Sequence, residues 1–438
     1  MSGKGPKNEI IFGGGNLSGA FFCALAALAF PYARTLGLPA YLLPLIFLPA
    51  AAVVFLAVPP LYDVINNSPL IATGRYHIPL AIFAPSAALF GCLLFCIDPV
   101  WPFAVKAAAL FFGLALSLLN FTLFWYVYNA MYARWFALAE HGRHARARRI
   151  FSIAGAAAFV AAFGGLFSGG ATAAAYSQTG YITGCLTLTA GFCAYIASAD
   201  TMPKFIRVAA PRRRPLVQKY SRFFEPLRSS ANVKIFVWLL VSASSLAVTA
   251  FSALGYSDDY IVLTAVFAVF LTSYFAVSAG LSLERFSRAR FILPVFLAAV
   301  LQLTATALPL IGFFGAGGTP AEPDAAALVS AGALLGAASG IYRAAAANAF
   351  GLVLKRSATT RGIIENIAAL FGAAAAFIAV AVCSAATYAG EFSDVVGASV
   401  SAALCLAALI IFLAKKRDAS DNEPLTLEYP IEEIIIED

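Results

Sequence analysis

Residues 199–234 read ADTMPKFIRVAAPRRRPLVQKYSRFFEPLRSSANVK, and this stretch decides the fold. It carries nine Lys and Arg side chains, from Lys204 to Lys234. On both sides of it the chain is almost continuously apolar. Before it, apolar runs lie near 10–33, 40–65, 78–98, 102–130, 150–175 and 181–199. After it, they lie near 233–254, 259–283, 291–314, 325–352, 362–388 and 395–414. A hydrocarbon core about 30 Å thick takes about 20 helical residues per crossing. The runs are continuous rather than alternating, which predicts helices and not the strands of a closed barrel. The expected fold is an all-α membrane protein of twelve transmembrane helices in two six-helix bundles. Residues 1–200 form the first bundle, 201–231 a cytoplasmic central loop, 232–415 the second bundle, and 416–438 an acidic tail.

Composition points the same way. The chain has 438 residues, 61% hydrophobic and 12% charged. Soluble chains carry about 45–50% apolar and about 25% charged residues. So little charge cannot cover a water-exposed surface of this size, which excludes a soluble, disordered or coiled-coil protein. Basic residues mark the cytoplasmic side of membrane proteins. With the N-terminus inside, all but three of the 29 Lys and Arg fall in inner loops or tails. Arg34 falls outside, and Lys106 and Arg343 lie within spans. Both termini are therefore expected in the cytoplasm, and the protein in the cytoplasmic (inner) membrane. The net charge of +7 is an orientation signal suited to anionic lipids, not to nucleic acid. The first run is too long for a signal peptide, so none is expected.

No catalytic constellation is visible. Gly13-Gly14-Gly15 is followed by no GKS/T and is not a phosphate loop. HExxH, GxSxG and the kinase set are missing, and direct use of ATP is not expected. The seven cysteines lie in apolar runs without a CxxC pair, and with three histidines they point to no metal centre. No cofactor is expected beyond Na⁺ or H⁺ as a coupling ion.

The halves echo each other. GRYHIP (74–79) and RFILP (290–294) put Pro79 and Pro294 at the same place before an apolar run. RRIFSIAGAAAFVAA from Arg148 and RGIIENIAALFGAAAAFIA from Arg361 form a second echo at nearly the same offset. Duplicated halves are a signature of secondary transporters. Gly and Ala concentrate in spans one, five, ten and eleven, where small residues let helix backbones approach closely.

Six-plus-six helices about a basic loop resemble the major facilitator superfamily. Four segments resemble its glycoside-pentoside-hexuronide:cation symporters, which include the melibiose carrier. IIFGGGNLSGAFF (10–22) resembles that family's Gly-rich first helix, and LYDVINNSPL (61–70) its WDAINDP-like end of helix two. GRYHIP resembles its Gly-basic-basic-Pro loop. LFWYVYNAMY (123–132), a basic loop and RRIFSIAG (148–155) resemble its helix four to helix five. The resemblance covers most of the first half, while the second half is similar mainly in topology. It implies a solute carrier coupled to a cation, with Asp63 at one family acid and Asn67 in place of the second. The family's helix-one acid falls at about Gly19 and its helix-four acid at about Phe121. Trp125 and Arg149 match the tryptophan and arginine near the family's sugar site. The helix-eleven lysine has no counterpart near Leu370–Gly372. The resemblance thus implies the architecture with a degenerate cation site.

Ionisable groups at membrane depth are costly and are functional hypotheses by default. Arg343 is mid-span, where it binds an anionic substrate group or pairs with an acid. Asp63, near the inner end of span two, binds a coupling ion, braces the gate or is a solvated helix-end acid. Asn66 and Asn67 line the site or cap the helix. On span four, Trp125 and Asn129 are four apart and share a face, with Asn120 and Tyr128 nearby. An aromatic face beside an amide suits sugar C–H groups and hydroxyls, although interfacial aromatics would look similar. Glu284, Arg285 and Arg288 resemble charge-braced inner loops that gate the carrier. Lys106 is expected to snorkel at the outer end of span four.

The function expected is secondary transport of a small solute, a sugar or related organic solute, by alternating access. The alternatives are a lipid or amphipathic-solute transporter and a non-transporting sensor or scaffold. The expected partners are the solute and membrane lipids, and the expected state is monomeric.

Overall fold

In the computed structural model the described residues are 7–21, 24, 28, 32–33, 35–39, 42–66, 75–135, 141–167, 170, 172–199, 215–223, 233, 236–242, 244–246, 260–283, 292–315, 325–353 and 393–413. They are helical nearly throughout. The first half contains α1 (Lys7–Gly13), a 3-10 segment (Gly14–Ser18), α2 (Leu43–Asn66), α3 (His77–Leu94), α4 (Phe103–Trp135), α5 (His141–Phe167) and α6 (Ala173–Ala199). The short α7 (Leu216–Phe223) lies in the basic central stretch. The second half contains α8 (Tyr260–Leu283), α9 (Ile292–Gly315), α10 (Ala325–Val353) and α11 (Ser393–Leu413).

Among the described residues, seven helices are long and apolar enough to cross a membrane, within α2–α6, α8 and α10. The apolar stretches in α9 and α11 are shorter, Leu293–Leu308 and Ser399–Ile411. These helices fall on spans two to six, eight to ten and twelve of the sequence reading. Span eleven, with Arg361 and Glu365, lies outside the described residues. The two prolines of the repeat echo occupy the same place, each the third residue of its helix, α3 and α9.

The boundary between spans five and six differs from the sequence reading. Span five was expected to run to 175 and span six to begin at 181, but α5 ends at Phe167 and α6 begins at Ala173. The break has a local cause. Gly170 has φ +102, a conformation that only glycine adopts without strain. Its N–H returns to the Phe167 carbonyl at 2.9 Å, and Thr172 Oγ1 accepts from the Ala175 N–H at 3.2 Å as an N-cap. Apolarity alone did not mark this turn, because the whole stretch is small and uncharged.

Small residues set the packing within each half. In the second half, α8 lies against α10. Gly332, Gly336 and Gly340 of α10 meet Val266, Phe270 and Tyr274 of α8 in register, four residues apart on both helices. A Cβ at Gly340 would lie 2.8 Å from the Tyr274 carbonyl. In the first half, α6 packs on α3 by the same device, with Gly180, Gly184 and Gly191 against Phe95, Cys92 and Ala84. Between α9, α11 and residues 244–246, Gln302 Nε2 donates to Ser245 Oγ, and Ser245 Oγ to the Ser401 carbonyl at 3.0 Å.

The halves meet along α5 and α8. Phe159 and Phe163 of α5 surround Phe267 of α8, with ring centres 6.3 and 5.5 Å apart. A Cβ at Gly164 would lie 2.8 Å from Thr264 Cγ2. A second meeting place is a hydrophobic cluster bordered by Phe55, Val58 and Tyr62 of α2 and by Phe236 at the start of span seven.

Candidate functional site

The glycines of the opening segment admit its polar residue to the interior. A Cβ at Gly13 would lie 2.9 Å from Ala147 Cβ, and one at Gly15 would collide with the Tyr128 ring. At Gly155 of α5 the nearest atom would be the Leu17 carbonyl oxygen, at 2.8 Å. The chain from Gly13 to Ser18 therefore packs directly on α5 and α6. This buries Asn16, only 7% exposed, against α5.

Asn16 faces Arg148, two turns into α5. Arg148 Nε donates to Asn16 Oδ1 at 3.1 Å, and Arg148 Nη2 donates to Asn129 Oδ1 at 2.7 Å. Asn16 Nδ2 donates to Ser152 Oγ at 2.8 Å, so its amide is held at both ends. The Arg148 guanidinium carbon lies 5.0 Å from the Tyr128 ring centre and 6.0 Å from that of Trp125. Both are within cation–π range.

Behind the guanidinium stands an aromatic wall. Tyr128 is fully buried, stacked on Phe12 at 4.7 Å and Phe124 at 6.0 Å. Its hydroxyl donates to the Phe12 carbonyl at 2.7 Å, tying α4 to α1. Trp125, half-buried, meets Tyr128 edge-on at 5.7 Å and Phe121 at 6.1 Å. An arginine cannot shed its charge in a protein, and a charge withdrawn from water needs partners. Two amide oxygens and two ring faces stabilise this one.

The other residues singled out by sequence are dispersed. Asp63 is 6% exposed and follows Tyr62 on α2; the Tyr62 ring lies 4.4 Å from that of Tyr126. Since α2 packs on α4, this carboxylate stands on the helix beside the Arg148 cluster. Asn120 Nδ2 turns back to the Leu116 carbonyl of its own helix at 2.8 Å. Arg149 is half-buried, and the bonds to Asn16 and Asn129 are made by its neighbour Arg148. Arg343 is the exposed position in the otherwise mostly buried run from Ala338 to Ala345. Asn67, Glu284, Arg285 and Arg288 lie outside the described residues. Lys106 does not simply snorkel: its Nζ donates to the Leu36 carbonyl at 2.6 Å and the Pro99 carbonyl at 3.1 Å. It fastens the end of the first span to the α3–α4 loop.

Sequence reasoning missed Asn16, Arg148 and Ser152 as partners. One signal was present. Arg148 and Ser152 are four apart, hence on one helical face, whereas Arg149 is turned away by about 100°. Among the described residues, no group of three His, Cys, Asp or Glu side chains could hold a metal ion.

No family model matches this chain, and no curated protein matches it in sequence. Solved structures do match. A peptide transporter of the POT family, solved in an auto-inhibited form, superposes with a TM-score of 0.62 at 11% identity, over 96% of this chain and 99% of its own. A mutant of the nucleoside transporter NupG gives 0.58 at 13% identity, over 92% and 98%. A D-xylose-proton symporter gives 0.56 at 13% identity, over 92% and 96%. Likeness at such identity shows that this chain shares the fold of these transporters.

Proposed function

We propose that this chain is a secondary transporter of a small polar solute, a sugar or related organic molecule, working by alternating access between its two halves. The observation that carries the reading is the Arg148 cluster. A charged fork, an amide at Asn129 and the half-buried Trp125 ring converge inside a helical bundle with the fold of solute carriers. A ring face packs on the C–H face of a sugar, while amide and guanidinium serve its hydroxyls. Tyr128, being buried, acts as a platform for Arg148 rather than by contact with solute. Asn120 and Arg149 flank this region as secondary candidates.

Asp63 is assigned the coupling ion, a proton or Na⁺, supported by its burial on α2, a helix that packs on α4; Asn67 is assigned the same ion as a neutral ligand. Arg343 is assigned an anionic substrate group, and Glu284, Arg285 and Arg288 the bracing of the inner gate. The test is a thermal-shift screen of sugars, nucleosides and organic anions on the purified protein, with and without Na⁺, followed by uptake into proteoliposomes. A sugar-type ligand should raise the melting temperature, and the shift should vanish in Trp125→Ala and in Arg148→Gln. Stabilisation by lipids alone, unchanged in both variants, would overturn the reading.

A further inference from the structure

Pro59 and Pro60 sit inside α2. Proline has no N–H to give to the carbonyl four residues earlier. Pro60 therefore leaves the Leu56 carbonyl without its helical donor. Leu56 is 57% exposed, on a helix whose apolar span runs from Leu45 to Ile65. A backbone carbonyl left unmet in hydrocarbon is costly, and membrane helices tolerate proline where another group supplies the bond.

That group is Tyr220. Its hydroxyl donates to the Leu56 carbonyl at 2.6 Å. Tyr220 belongs to α7, which packs on α2. The same part of α2 shares a hydrophobic cluster with the second half, for Phe55, Val58, Tyr62 and Phe236 all pack on one cluster. Leu56 is within two turns of the three on α2. The anchor of the central loop is thus fixed beside the seam between the halves, at a carbonyl that only a proline leaves open.

We propose that Tyr220 is a latch. It fastens α7 to the proline-opened carbonyl of α2 and thereby holds the α2–Phe236 seam closed at this end of the molecule. That the latch opens during a transport cycle rests on the transporter reading; that it holds α7 and the seam does not.

Hydrogen exchange of the full chain in lipid nanodiscs tests it, comparing wild type, Tyr220→Phe, Pro60→Ala and the double variant. Loss of one net hydrogen bond corresponds to about a fivefold change in an opening equilibrium. Tyr220→Phe should speed exchange by that factor in α7 and in residues 236–246 together. In Pro60→Ala the restored N–H reaches the Leu56 carbonyl, so removing the Tyr220 hydroxyl there should change exchange by less than about twofold. The proposal is overturned by unchanged exchange in Tyr220→Phe or by equal effects in the two backgrounds. It is also overturned if α7 loosens while residues 236–246 do not. If liposomes move no solute yet this pattern appears, the transport reading fails and the latch stands.

Discussion

Arg148 carries a permanent charge into a helical bundle, and its surroundings are shaped to a fork rather than to a point charge. Two different nitrogens meet Asn16 and Asn129, and the guanidinium plane lies near two rings. A lysine keeps the charge but not the fork or the stacking. Arg148→Lys should therefore impair solute binding about as badly as Arg148→Gln, by roughly 10-fold or more, the scale of hydrogen bonds to charged groups. Binding measured by the thermal shift of the identified ligand checks this; full rescue by lysine would reduce Arg148 to a charge marker. Asp63 calls for a different readout. Asp63→Asn should abolish the dependence of uptake on an imposed Na⁺ or proton gradient while leaving gradient-free exchange of solute in place. Unchanged gradient dependence would remove Asp63 from coupling.

At the scale of elements, glycine spacing decides which helices touch. The three α10 glycines meet three large α8 residues in register, so a side chain at the middle one has nowhere to go. Gly336→Leu should destabilise the protein by about 1–3 kcal/mol or more, the usual cost of overpacking, seen as a lower melting temperature in detergent. Gly19, which has no atom within 4 Å of an added Cβ, should accept alanine without such loss. The sequence showed where small residues concentrate, but not which partner each one faces, since Ala-rich helices offer several similar stripes. The Gly13–Gly15 run is the clearest instance. It was legible as close packing, while its purpose, seating Asn16 against Arg148, depends on the placement of α5. Resemblance singles out Arg149, while the contacts with Asn16 and Asn129 are made by Arg148, whose spacing of four from Ser152 is the signal that marks its face. The α5–α6 turn was hidden because its decisive feature is one backbone angle at Gly170.

At the scale of the molecule, the apolar runs made most of the helices legible, because a continuous apolar run in lipid satisfies its backbone within itself only as a helix. How the halves meet was not legible, since the contacts are ring against ring across 104 residues of chain, as between Phe163 and Phe267. This seam gives a whole-molecule prediction. Gly164→Trp should wedge α5 from Thr264 and hold that end of the molecule open, raising the alkylation rate of a cysteine placed at Leu166; no change would show that the seam does not close there. The central claim, that the halves rock about the site, has a direct measurement that needs no knowledge of the solute. Spin labels would be placed at exposed positions in a cysteine-free background, at Val100 and Ile261 for one end and at Val64 and Leu293 for the other. Electron–electron resonance distances, taken across a panel of solutes, pH values and Na⁺ concentrations, should show two populations at each end. Conditions that lengthen one pair should shorten the other. A single fixed distance at both ends under every condition would contradict alternating access.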